Sequence, residues 1–195
     1  MKIALDLDEI IFPFVENLII YHNKNYCTNF KFEDIKHYEL WKVWGGTREQ
    51  AIKKVAEFQH TPEFDLIPPI PESALAIEEL RKHNELIIVT SRREDMKDKT
   101  LAWIDKYFPK KFSGLYLTNA YALDGPTLNK ADMCLENGSK LLVDDCLEFA
   151  KECSEKGIET WLWYKPWNQS SSLPYLVSRF KIWKEFLNIV QDIVD

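Results

Sequence analysis

Five short apolar runs, each ending in polar residues, restrict the fold of this chain more than any other feature of its sequence. They are Lys2 to Leu7, Leu86 to Ser91, Gly114 to Thr118, Lys140 to Val143 and Thr160 to Tyr164. A run of four to six aliphatic or β-branched residues bounded by polar ones reads as a strand buried on both faces. Helical patterns lie between the runs: Glu72 to His83, Asp95 to Phe108 with Leu101, Ile104 and Phe108 on one face, and Leu147 to Lys156 before Gly157. Strand and helix alternate, so the sequence predicts an α/β fold, a Rossmann-like parallel sheet with helices on both faces. Ligands of such sheets sit beyond the carboxyl ends of the strands, and function is sought there.

One stretch breaks the alternation. From Phe12 to about Pro71 no strand pattern appears, but helical patterns run from Pro13 to Asn25 and from Thr47 to Phe58. This predicts a small α-helical insertion after the first strand, and Pro68-Pro-Ile-Pro71 forms its stiff return. The division expected is residues 1–11 and 72–195 as the α/β core, with 12–71 as the insertion. After Pro174, Leu176, Phe180, Trp183, Leu187, Val190 and Val194 recur at steps of four and three, the stripe of a terminal amphipathic helix packed on the core.

With 195 residues, 46% of them apolar, the chain has the material for one domain carrying an insertion. A net charge of −6 is the wrong sign for clamping a nucleic-acid backbone over an extended surface, although a local basic pocket stays compatible with it. Cys27, Cys134, Cys146 and Cys153 form no C-x-x-C pair, which points to a reducing cytoplasm. Asp6, Asp8 and Glu9 interrupt the amino-terminal apolar run before a signal-peptide core is complete. The stretch from Ile10 to Ile20 is too short and too polar to span a membrane, so no membrane partner is expected. A homodimer stays open.

The strand ends carry the chemistry. The first strand runs into Asp6-Leu-Asp8, two carboxylates at i and i+2 on one side of an extended chain, where turn or cap acids are the plain alternative. The second ends in Thr90-Ser91-Arg92-Arg93, whose hydroxyls, backbone N–H groups and guanidinium groups suit a phosphate. The fourth ends in Asp144-Asp145. If the first and fourth strands are neighbours, four carboxylates crowd together, which a divalent cation makes tolerable, and oxygen ligands without a His cluster favour magnesium. Lys130, at the expected start of a helix, would balance charge between these acids and a substrate anion.

In this order and context, Asp6-Leu-Asp8, Thr90, Lys130 and Asp144-Asp145 resemble the four motifs of the haloacid dehalogenase (HAD)-like phosphohydrolases, and the insertion after the first motif looks like the helical cap of one branch. Phe64 to Pro71, Thr90-Ser91, Trp103 to Phe108 and Leu141 to Asp145 are similar to segments of the 5′-nucleotidases of the deoxyribonucleotidase type. Glu9 stands where that family commonly has Gly, Ile10 where it has Thr or Val, and Arg92 where Pro is frequent.

The resemblance implies a Mg2+-dependent phosphomonoesterase. Asp6 would attack phosphorus and form an aspartyl-phosphate, while Asp8 would act as general acid and then base. Metal ligands would come from Asp6, the Asp8 carbonyl, Asp144 and Asp145, the last directly or through orientation, and Thr90, Ser91, Arg92 and Lys130 would hold the phosphoryl group. The expected substrate is a small phosphorylated metabolite, most readily a nucleoside monophosphate, with a sugar phosphate as the alternative. An inactive phosphate-binding module and a polynucleotide end-phosphatase are the rival readings. Phe12, Phe14, Trp41 and Trp44 are candidates to stack on a base, and His37, Tyr38 or Arg48 to read its edge or the sugar. Aromatic residues in a small helical insertion more often form its own core. The loop from Lys165 to Asn168 is a further candidate for the rim of the site.

Overall fold

The structure, a computed structural model, describes residues 1–194, with side-chain surroundings through residue 188. The five expected strands form as β1 (Lys2–Leu5), β2 (Glu85–Thr90), β3 (Leu115–Leu117), β4 (Leu141–Asp144) and β5 (Glu159–Trp163), and β6 (Val177–Phe180) joins them. All neighbours pair in parallel, in the order β3-β2-β1-β4-β5-β6. β1 and β4 are therefore side by side at the centre, with Leu5 opposite Val143.

Alternate residues of the strands feed two apolar layers, as the period of two requires. Ile3, Leu5, Ile88, Val143 and Trp161 face one layer together with Ile77 and Leu80 of α5 (Ser73–Arg81), Trp103 of α6 (Lys97–Tyr107), and Trp183 and Phe186 of α9 (Trp183–Val194). Ala4, Ile87, Val89 and Leu142 face the other, against Ala131 and Cys134 of α7 (Lys130–Glu136) and Cys153 of α8 (Leu147–Glu155). The α/β expectation, with helices on both faces, holds.

Between β1 and α5 lie α1 (Phe14–Tyr26), a 3-10 turn at Phe32–Asp34, α2 (Trp41–Trp44), α3 (Arg48–Gln59) and α4 (Pro62–Asp65). Thr47 caps α3 by accepting a hydrogen bond from the Gln50 N–H at Oγ1, and the Gln50 Oε1 in turn accepts one from the Thr47 N–H. Among the described residues no helix is long and apolar enough to cross a membrane.

Two local expectations are corrected. Leu176 and Phe180 do not start the terminal helix: Val177–Phe180 pairs with β5, and the helix begins at Trp183. Val177 and Phe180 are three apart, a helical spacing, but the ladder to β5 meets the backbone demand and buries both side chains. Val190 and Val194 of the expected stripe lie outside the residues whose side chains are described. In α6, Leu101 is 39% exposed, and the buried face is formed by Thr100, Trp103 and Ile104.

Candidate active site

β1 ends at Leu5, and the next residue, Asp6, still donates its N–H to Val143 of β4 at 2.9 Å. The chain then makes a tight loop in which the N–H groups of Ile11 and Phe12 return to the Leu7 carbonyl. Glu9 takes a left-handed conformation there, with φ of 65°. That conformation costs a non-glycine residue about 1–2 kcal/mol. Two contacts offset the cost: Glu9 Oε1 accepts the Val15 N–H at 2.7 Å, capping the otherwise uncapped start of α1, and Oε2 accepts from Lys165 at 2.8 Å. The residue that departs from the resembled motif thus ties β1 to α1 and to the loop after β5.

Carboxylate oxygens of Asp6, Asp144 and Asp145 lie within 4.8 Å of one another, and all three residues are buried. Lys130, 1% exposed, stands between two of them, 2.7 Å from Asp144 and 3.2 Å from Asp6. Burial alone would pull the Lys130 ammonium down, but Asp144 and Asp6 outweigh it and keep the lysine charged. Asp6 is pushed up to about 7, chiefly by burial and also by the neighbouring Asp144 and Asp8, against the pull of Lys130. Asp145 is raised well above the usual carboxylate range by burial, and by Asp144, Asp6 and Glu9.

The oxygens are unequally free. Asp144 has Oδ2 on Lys130 and Oδ1 accepting from the Cys146 N–H at 2.8 Å, whereas Asp145 is held through Oδ2 alone, by the Trp167 indole at 2.8 Å. Asp6 Oδ1 is buried with the Lys130 ammonium 3.2 Å away as an ion-pair partner and accepts no well-directed hydrogen bond. An all-oxygen donor set within 4.8 Å and carboxyl groups forced toward neutrality fit a small hard divalent cation.

The cleft over these acids, a cavity of about 80 Å³, is lined by Asp6, Asp8, Ser91, Arg92 and Asp145 from the strand ends. From the helical segment come Phe14, Ile35, His37, Tyr38, Leu40, Val55 and Gln59, and from other loops Arg93, Tyr121 and Trp167. Ser91 Oγ and the Tyr121 hydroxyl are buried without partners. Burial raises the Tyr121 phenol to about 12, and burial with the nearby Cys146, Asp145 and Asp6 raises Tyr38 well above its ordinary value.

The structure thus brings Asp6, Asp8, Ser91, Lys130, Asp144 and Asp145 together. Thr90, fully buried at the end of β2, sits behind Ser91. Three expected ligand residues are placed otherwise. Phe12 is 0% exposed and packs on Phe64 and Trp103, with ring centroids 5.0 and 5.1 Å away, off the cleft. Trp44 stacks on His22 at 4.3 Å within the helical segment. Arg92 lines the cleft, but its guanidinium is engaged by both oxygens of Asp8, at 2.7 and 3.0 Å, and by Thr100, so it is not free to clamp a phosphate. Trp41 also packs against the core, and Arg48 donates to the Ala120 and Ala122 carbonyls rather than facing the cleft.

Sequence reasoning missed Gln59 and Tyr121, and Arg93, read there as one of the guanidinium groups suited to a phosphate, is engaged by both oxygens of Asp95 and by Gln59. Tyr121 follows the end of β3, and inspection of every strand end would have found it. Gln59 and Arg93, bonded to each other at 2.8 Å, come from distant segments with no shared motif.

A family model described as 5′ nucleotidase, deoxy (pyrimidine), cytosolic type C protein matches residues 1–145. Among curated proteins none matches the sequence. Solved structures share the fold at low identity. A haloacid dehalogenase-like hydrolase from Streptococcus pneumoniae is 16% identical with a TM-score of 0.71, the match covering 97% of this chain and 98% of the other. Protein Tyrosine Kinase A of Mycobacterium tuberculosis is 12% identical with a TM-score of 0.74, covering 97% of each chain. YfnB of Bacillus subtilis, in a structure bound to magnesium, is 13% identical with a TM-score of 0.62, again covering 97% of each.

Proposed function

The chain belongs to the cytosolic type C 5′-nucleotidase family, phosphoric monoester hydrolases with the HAD fold, and from that premise we propose that it hydrolyses nucleoside monophosphates through an aspartyl-phosphate on Asp6. The observation that carries this reading is the Asp6 carboxylate, buried at the tip of β1 with Oδ1 3.2 Å from the Lys130 ammonium and two further acids beside it.

In this reading an Asp6 oxygen attacks phosphorus as the leaving oxygen departs with a proton from Asp8, and Asp8 then takes a proton from the water that opens the acyl phosphate. Lys130 and the Ser91 hydroxyl stabilise the phosphoryl oxygens. Asp144 holds Lys130 through Oδ2 and accepts the Cys146 N–H at Oδ1, with a lone pair left on each oxygen. Asp6, Asp144, Asp145 and the Asp8 carbonyl would hold Mg2+, which supplies positive charge to the phosphoryl group.

Residues 12–71 act as a cap. Tyr38, Gln59 and Tyr121 would meet the nucleoside, because they line the cleft and Tyr121 has an unmet hydroxyl. A tight cleft and a net charge of −6 favour a small substrate over a nucleic-acid end. Four free cysteines, three of them buried, suit the cytoplasm.

The test is phosphate release from a panel of nucleoside monophosphates and sugar phosphates, with Mg2+ or with chelator, for wild type and Asp6→Asn. Release that needs Mg2+, is fastest with a nucleotide and is lost in Asp6→Asn is the expected result. Preference for a sugar phosphate would overturn the substrate, and folded but inert wild type across the panel would overturn the activity.

A further inference from the structure

Asp8 is 23% exposed at the edge of the cleft, and its carboxylate is gripped from one side by Arg92. Arg92 Nη2 donates to Oδ1 at 2.7 Å and Nε to Oδ2 at 3.0 Å, a two-point contact that sets both the position and the plane of the carboxylate. The arginine is itself immobilised. Its Nη1 donates to Thr100 Oγ1 at 3.1 Å, and that hydroxyl is oriented by donating to the Met96 carbonyl at 2.8 Å. The guanidinium carbon lies 4.6 Å from the centre of the Phe12 ring and 5.3 Å from that of Phe64. The Arg92 side chain is 1% exposed.

Such a pair is a poor device for stability, because desolvating an arginine costs about as much as the pairing returns, and apolar residues would fill the same space as well. Its geometric effect is specific. An aspartate on a loop has free rotation about two side-chain bonds, and the fork removes both freedoms at the cleft wall.

We propose that Arg92 is a positioning residue that aims Asp8 at the leaving oxygen of the substrate, and that Phe12, Phe64 and Thr100 serve the reaction by holding Arg92. The proposal rests on the phosphomonoesterase reading. The fork uses one lone pair on each Asp8 oxygen and leaves another on each, so the carboxyl can still carry a proton. In the first step the Asp6–phosphorus bond forms, the phosphorus–oxygen bond to the leaving group breaks, and the Asp8 proton passes to the departing oxygen. In the second, water attacks the phosphorus, the bond to Asp6 breaks, and the proton of the water returns to Asp8.

Substrates with different needs for that first proton provide the test. An alkyl phosphate such as a nucleoside monophosphate needs the proton, whereas 4-nitrophenyl phosphate expels a stable phenolate without it. kcat/KM reports events through phosphoaspartate formation, so it isolates the protonated step. For Arg92→Met we expect kcat/KM on the nucleoside monophosphate to fall about 100-fold and that on 4-nitrophenyl phosphate less than about fivefold, as loss of aim in general acid catalysis predicts. KM should change little for either. Arg92→Lys, which keeps the buried cation but offers no fork, should show the same bias more weakly.

Equal losses on both substrates would overturn the positioning role while leaving the phosphatase reading intact. Wild type inert on both would remove the phosphatase reading itself. Failure of both Arg92→Met and Arg92→Lys to fold would make the pair a structural element and also overturn the proposal.

Discussion

The tips of β1 and β4 and the interior of the helical segment are both buried, and both hold residues that a sequence marks as functional, but they are built on opposite terms. At the tips, three carboxyl groups crowd together, Lys130 pairs with two of them, and Asp6 and Asp145 are pushed toward their neutral forms. In the helical segment, His22 stacks between Trp44 and Tyr26, its ring nitrogens meet Thr28 and Lys54, and Phe58 packs on Phe14, Tyr21 and Phe64. The first arrangement is costly to fold and useful to a ligand, and the second packs against itself, leaving the Trp44 indole N–H without a hydrogen-bond partner. Carboxyl groups pushed toward neutrality on the wall of a cleft, more than burial or residue type, separate the residues read as acting from those that pack.

The contrast breaks most visibly at Asp6. Asp6→Asn should lower phosphate release by about 10⁴-fold or more, the scale of losing a covalent nucleophile. Stability should move the other way. Because the folded-state value of Asp6 is raised to about 7 from 3.8, its ionisation opposes folding from about pH 4 upward, and fully so above pH 7. The metal-free variant at pH 8 should therefore melt no lower than wild type, and a few degrees higher is expected. A lower melting temperature would mean that the Lys130 pair outweighs the crowding.

On the packing side, Phe12→Ala should cost about 3–5 kcal/mol in denaturant unfolding, as for other fully buried aromatic residues. Trp44→Ala should likewise appear as lost stability with an unchanged KM. A raised KM for Trp44→Ala at constant stability would restore it as a substrate residue. Tyr121→Phe lies between the regions: removing an unpartnered buried hydroxyl should leave the melting temperature within a degree or two but raise KM about tenfold, the worth of one hydrogen bond.

The smallest effect expected is the pH response of the helical segment. Burial, and then the neighbouring Lys54, holds His22 down at about 4 from 6.5. Between those values the unfolded chain binds a proton that the folded chain refuses, so this contribution to stability is intact above pH 6.5 and is lost as the pH falls toward 4. His22→Phe should flatten the melting temperature over that window. An unchanged slope would show that His22 is not neutral in the fold.

The strand ends were legible in the sequence because their signals are local: an apolar run followed at once by Asp6-Leu-Asp8, by Thr90-Ser91 or by Asp144-Asp145 identifies both the element and its polar tip. Lys130 was legible only in company with them. The contacts that tune the site were hidden, since Arg92 reaches Asp8 across 84 residues and Lys165 reaches Glu9 across 156, and no spacing rule encodes such pairs. Phe12 and Trp44 illustrate a third case: an aromatic ring has the same sequence signature whether it faces a base or another side chain. β6 was obscured by Leu176 and Phe180 falling on the register of the helix that follows.

Phosphoryl transfer to Asp6 can be observed directly. Wild-type protein should be mixed with a nucleoside monophosphate labelled in its phosphate and Mg2+, quenched in acid within a single turnover, and digested so that the label can be assigned to a peptide. The label should appear on the peptide containing Asp6, be released by hydroxylamine as an acyl phosphate is, and be absent from Asp6→Asn. Turnover with the label on no residue, or on a residue other than Asp6, would contradict the account.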